Sequence, residues 1–147
     1  MNYIKNIFIS LLIVLLIPVK SFGLIEVDIT RGNLNPLPVA VSPMSIDDKS
    51  RKSFEDLLKK NNIGEEISSI VENNLKTSGL FNPLSKDAFL QEPDIANLKP
   101  RFEDWNLIKA QALITGKVSN IDDKLRVEFR LWDVLAGKEM MALAFTT

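Results

Sequence analysis

The stretch from Gly64 to Ser78 constrains the fold more than any other part of the chain. Ile63, Ile67, Ile70, Val71, Asn74 and Leu75 share one face of a 3.6-residue period, while Glu65, Glu66, Ser69, Glu72 and Lys76 share the other. The early Glu65 and Glu66 and the late Lys76 complement the helix dipole. Gly79 stands where a left-handed carboxyl-terminal cap is wanted, and Leu80 follows to pack back on the last turn. A helix with an apolar stripe must lay that stripe on something, and the alternating segments elsewhere predict a sheet. Glu65 and Glu66 are poor as a catalytic pair, because adjacent helical residues face different directions.

Leu24 to Thr30 (LIEVDIT) sets Ile25, Val27 and Ile29 against Glu26, Asp28 and Thr30, the period of a half-buried strand. Arg31 to Pro36 is turn chemistry. Pro38 to Pro43 predicts a second short strand whose prolines suit its ends or an edge position. Phe81 to Ser85 is a short extended piece, and Gln91 to Pro100 a loop. Arg101 to Lys109 places Phe102, Trp105 and Ile108 at helical spacing, a stripe better suited to core packing than to a ligand platform. Gly116, inside the apolar run from Gln111 to Ser119, points to a bulge or to close approach of another backbone. Leu125, Val127, Phe129 and Leu131 then alternate, and Met140 to Thr147 returns as a last strand. The order predicts an α/β fold: a two-layer sandwich, its mixed β-sheet covered on one face by about two helices.

The 147 residues include neither cysteine nor histidine, which removes thiol and histidine-triad catalysis, disulfides, and cysteine or histidine metal sites. With 18 basic and 19 acidic side chains the net charge is −1, giving no electrostatic reason to expect nucleic acid. The six glycines are too scattered for a dinucleotide or phosphate loop. Asp122 and Asp123 lack further oxygen ligands at loop spacing and suit a turn better than a cation. Ser45 to Asn62 is polar, with Lys49, Arg51, Lys52, Lys59 and Lys60 in a mixed charge run and a short helix around Phe54, Leu57 and Leu58; it suits a solvated face. Neither an enzyme nor a cofactor, metal or small-molecule substrate is expected.

The beginning of the chain is an address. Lys5 precedes the apolar run Ile7 to Ile17, Pro18 breaks it, and Ser21-Phe22-Gly23 supplies a small-x-small ending. The run is too short for a transmembrane span. A cleavable secretory signal over residues 1–23 is expected, with an exported domain over residues 24–147.

Taken in order, several pieces resemble the amino-terminal domain of the TolB family, the exported component of the Tol-Pal cell-envelope system. They are Ile25 to Gly32; Pro38 to Val41; Asn74-Leu75-Lys76-Thr77-Ser78-Gly79-Leu80-Phe81-Asn82-Pro83-Leu84; Phe102 with Trp105; Ala112 to Val118; and Phe129-Arg130-Leu131-Trp132-Asp133-Val134. The resemblance implies a non-enzymatic periplasmic adaptor that supports outer-membrane invagination and integrity during cell division. It implies that the extreme amino-terminal segment, here Leu24, Ile25, Glu26, Val27, Asp28, Ile29, Thr30, Arg31 and Gly32, engages the C-terminal domain of TolA. In the family a β-propeller that binds Pal follows, so Pal is expected as a partner only where that propeller is present. A helix that packs on the domain precedes the propeller, and without it Met140, Leu143 and Phe145 are expected to be partly uncovered. The rival reading is a stand-alone exported interaction domain, or a truncated relic.

Overall fold

The computed structural model describes residues 35–51, 63–122 and 124–147. The signal, the segment Leu24 to Gly32 and the helix expected around Phe54 to Leu58 lie outside the described residues. In chain order the elements are β1 (Leu37–Val41), β2 (Ser45–Ile46), α1 (Asp48–Arg51), α2 (Ile63–Thr77), β3 (Phe81–Pro83), a 3-10 turn (Lys86–Ala88), α3 (Pro93–Leu98), α4 (Phe102–Leu107), β4 (Ala112–Ile121), β5 (Lys124–Asp133) and β6 (Lys138–Thr146).

They form a mixed six-stranded sheet in the order β3-β1-β4-β5-β6, with β2 pairing farther along β4. β1 lies parallel to both β3 and β4, joining Leu37 to Phe81 and Val39 to Ala112. β4, β5 and β6 are the expected antiparallel meander, with Ala112 opposite Asp133 and Asp133 opposite Lys138. β1 is thus an inner strand. Pro38 is tolerated there because it precedes the first β1–β4 pair, and its carbonyl accepts the Gln111 N–H at 3.0 Å.

Strand alternation assigns the core. Val39, Val41, Ala112 and Ile114 point to one face, where Ile67, Val71 and Leu75 of α2 cover them. Ala40 and Leu113 point to the other, where Ala96 of α3 and Trp105 of α4 meet them. Burying a valine or leucine side chain contributes roughly 1.5–3 kcal/mol, so both faces supply stability. The α/β class and mixed sheet are as expected, and so is α2 on one face. The second helical region joins the opposite face, because Trp105 packs with the residues whose parity is that of Ala40 and Leu113.

α3 interrupts what the sequence presents as a loop. Pro93 occupies its first turn, where a missing N–H costs nothing, and Ala96 N–H bonds Glu92 O at 2.9 Å. Buried Gln91 then ties the segment together: its Oε1 accepts from Arg101 N and from Trp105 Nε1, both at 3.0 Å, and its Nε2 donates to Lys99 O at 3.1 Å. Phe89 adds an edge-on ring contact to Trp105 at 5.0 Å. Trp105 is a core residue, as its spacing predicts.

Gly116 marks a close approach rather than a bulge. A β-carbon there would overlap the Met44 sulfur and lie 2.6 Å from Glu128 O. A β-carbon on Gly64, the second residue of α2, would overlap Met44 O. Met44 is therefore held between helix and sheet by two residues that lack side chains. Gly79 caps α2 with φ +72°, supported by Ser78 Oγ, which donates to Leu75 O at 2.6 Å and accepts from Leu80 N at 3.2 Å.

Candidate functional site

Several of the residues that carry the resemblance build the fold through their own side chains or backbone. Trp132 Nε1 donates to buried Thr115 Oγ1 at 2.9 Å, and Asp133 Oδ1 accepts from Ala136 N at 2.9 Å, capping the turn between β5 and β6. The Ser78-Gly79 pair ends α2, and Phe81 to Pro83 is β3.

Some charged groups tie elements together in the same way. Lys86 reaches from the 3-10 turn to α2, donating to Ser68 Oγ at 3.0 Å, Glu65 Oε1 at 3.2 Å and Ser69 Oγ at 3.3 Å, with Glu72 Oε1 at 3.4 Å. A polar hollow of about 550 Å³ lies beside this tie, with Asn73 and Lys76 on its helical wall. Glu65, a dipole-complementing residue by sequence, is thus also half of an inter-element ion pair. Among the described residues no three acidic side chains gather in a way that could hold a metal ion. No helix among them is long and apolar enough to cross a membrane.

Asp47 anchors α1 to β4. Lys117 Nζ sits 2.7 Å from Asp47 Oδ1, Ser50 Oγ donates to Asp47 Oδ2 at 3.3 Å, and the same Ser50 oxygen accepts from Asn120 N at 2.8 Å. The Lys117 hydrogen bond holds the Asp47 carboxyl below the usual carboxylate range, helped by the lysine charge and opposed by partial desolvation. A lowered folded-state pKa stabilises above the unfolded value, and that contribution disappears as pH falls through the lowered one. Urea midpoints measured down a pH series are therefore expected to fall more steeply at the acid end for the unaltered chain than for Asp47→Asn. Parallel profiles would refute a role for Asp47 in acid stability.

One surface with unused capacity is apolar. All nine residues of β6 are exposed, and among the described residues β6 is one edge of the sheet, as β3 is the other. Met141, Leu143 and Phe145 pair with Leu131, Phe129 and Val127, so these six share the face that α2 covers only in part. Leu143 is 50% and Phe145 56% exposed, as expected of an uncovered last strand. An apolar groove of about 290 Å³ runs between Val71 of α2 and Met141 and Leu143 of β6, floored by Ile114, Phe129 and Leu131. Met141, which sequence reasoning missed, shares this face by alternation with Leu143 and Phe145, whereas Met140, 42% exposed as expected, falls at the register shift beside Trp132. Ile70, assigned to the buried stripe by its period, is 61% exposed, since it lies a quarter-turn away from Val71. The opposite face of the β5–β6 hairpin carries Arg126, Glu128 and Arg130 beside Ala142 and Ala144. The hairpin is amphipathic, with its apolar side open.

This is a mixed α/β architecture, and solved structures share it. The fold is similar to the LpoB C-terminal domain from Escherichia coli, with a TM-score of 0.54 over 80% of this chain and 86% of that one at 12% identity. It is also similar to TolB from Acinetobacter baumannii, with a TM-score of 0.52 over 75% of this chain and 23% of that one at 19% identity. These likenesses show the fold alone. Residues 25–140 match the TolB amino-terminal domain, and the chain belongs to that family. The Tol-Pal system protein TolB of Pelagibacter ubique (strain HTCC1062) is 77% identical over 133 residues, 90% of this chain, and the chain spans 30% of that relative's length.

Proposed function

We propose that the chain acts as the amino-terminal module of a non-enzymatic periplasmic adaptor in the Tol-Pal system, supporting outer-membrane invagination and integrity during division. The observation that carries this reading is the family match over residues 25–140, joined to 77% identity with a Tol-Pal system protein. Residues 1–23 serve as the export signal, cut after Gly23, and residues 24–147 as the working domain. Leu24 to Gly32 meets the TolA C-terminal domain, because an alternating strand freed at a new amino terminus has backbone groups with which to extend another sheet. Pal engagement is assigned to no residue of this chain.

The test is calorimetric titration of the signal-cleaved chain, purified from the periplasm, with the TolA C-terminal domain. A second version lacks Leu24 to Gly32. Binding that weakens by at least about tenfold on deletion, a loss of about 1.4 kcal/mol, supports the assignment. Equal affinity of the two versions sinks the role of the segment, and no binding by either sinks the adaptor reading for this module.

A further inference from the structure

We propose that the polar hollow between α2 and the 3-10 turn binds a free basic amino acid, with the α-ammonium on Glu72, the carboxylate on Lys76 and the distal ammonium on Asp87. The site owes nothing to the Tol-Pal reading.

Lys86 sets the charges of the hollow. A lysine ammonium has three N–H donors, and Ser68 Oγ, Glu65 Oε1 and Ser69 Oγ take all three. Glu72 Oε1, 3.4 Å away, therefore feels the lysine charge without receiving a hydrogen bond, and that oxygen is buried with no hydrogen-bond partner among the described residues. A carboxylate partly withdrawn from water needs donors, because its desolvation is otherwise uncompensated. The Glu72 side chain is 24% exposed and lines the hollow, which is the side from which a donor can approach it.

Lys76 lies one turn beyond Glu72, about 6 Å along the helix axis, in the order that favours an i,i+4 ion pair. That pair does not form. Glu72 is drawn to Lys86 instead, and the side chains of Lys76 and Asn73 line the same wall with no hydrogen bond or ion pair among the described residues. An acceptor and a donor one turn apart match the ammonium and carboxylate that an amino acid carries on a single carbon, each through a charge-assisted hydrogen bond. On the other wall, exposed Asp87 accepts from Ser85 Oγ at 3.3 Å. Glu65 and Lys86 offset each other, so Glu72, Asp87 and Lys76 leave one negative charge in excess, which a basic amino acid neutralises. Pro83 and Leu84 offer apolar surface to the methylene stem between its two ends. The volume of about 550 Å³ is that of a small-molecule site.

The test is titration of the whole signal-cleaved chain with L-lysine, L-norleucine and L-glutamate, followed by amide shifts in NMR spectra. Norleucine lacks the distal ammonium, and glutamate reverses its sign. The expected result is saturable binding of lysine, at least about tenfold tighter than norleucine, with the largest shifts around the hollow and no saturation by glutamate. Asp87→Asn, an exposed change, is expected to bring lysine down to the level of norleucine and to leave norleucine as it was. Glu72→Gln and Lys76→Met are expected to weaken both ligands by at least about tenfold while the rest of the spectrum keeps its dispersion. Nα-acetyl-lysine stands in for the last residue of a protein and Nα-acetyl-lysinamide for an internal one, and each is expected to bind at least about tenfold more weakly than the free amino acid. Equal binding of lysine and norleucine, saturation by glutamate, or no saturable shift with any of the three overturns the proposal. A lysine preference that survives Asp87→Asn, or equal binding of either acetylated form, overturns it as well.

Discussion

Trp105→Ala is expected to lower the stability of the domain by about 3–5 kcal/mol, measured by urea unfolding, the largest loss of any single truncation considered. Two effects combine. The indole is fully buried against Ala40, Leu113 and Phe89, so its removal opens a cavity on the face that α3 and α4 cover. It also removes a donor to Gln91 Oε1, whose remaining partner there is Arg101 N at 3.0 Å. Phe at position 105 fills much of the volume without restoring the N–H, and is expected to recover more than half of the loss. If Phe and Ala variants were equally unstable, the hydrogen bond rather than packing would dominate, contrary to this account.

Gly64→Ala is expected to destabilise by about 1–3 kcal/mol, even though alanine is the better helix former by about 1 kcal/mol. The added β-carbon has no room, because Met44 O occupies its position and Gly64 O accepts from Met44 N at 3.1 Å. The obstruction is backbone, so shortening the Met44 side chain offers no relief. At Gly116 the obstruction is partly the Met44 sulfur, with Glu128 O behind it. A double-mutant cycle separates the two sites: Met44→Ala is expected to soften Gly116→Ala and to leave the Gly64→Ala penalty unchanged. Equal coupling at both glycines would contradict this geometry.

Local periodicity reveals what local periodicity controls. The extent of α2, the cap at Gly79 and the β4–β5–β6 meander are all legible, because each is set by residues within one element and its neighbours; the glycine at 116 hints at a close approach, but its partner Met44 is distant in the chain. α3 is not legible. Pro93 and Pro100 read as loop punctuation, and nothing near Ile95 announces that Ala96 will be buried against Ala40 and Leu113. The face on which Trp105 lies is hidden for the same reason, since it depends on long-range parity rather than on spacing within α4. Of the candidate surface, Leu143 and Phe145 follow from the family resemblance, and Met141 is legible from its alternation with them, a step that naming Met140 passes over. The segment Leu24 to Gly32 owes its strand reading to alternation and its partner to resemblance alone.

The inner position of β1 also has a consequence for the order of assembly. Its five residues are clasped by β3, whose first residue follows Val41 by about forty positions, and by β4, about seventy positions after it. The β4–β5–β6 meander closes through short local turns and needs nothing upstream, whereas β1 must wait until both later partners exist and then bear the entropy of closing two large loops. The strand nearest the beginning of the described chain is thereby among the last to be secured.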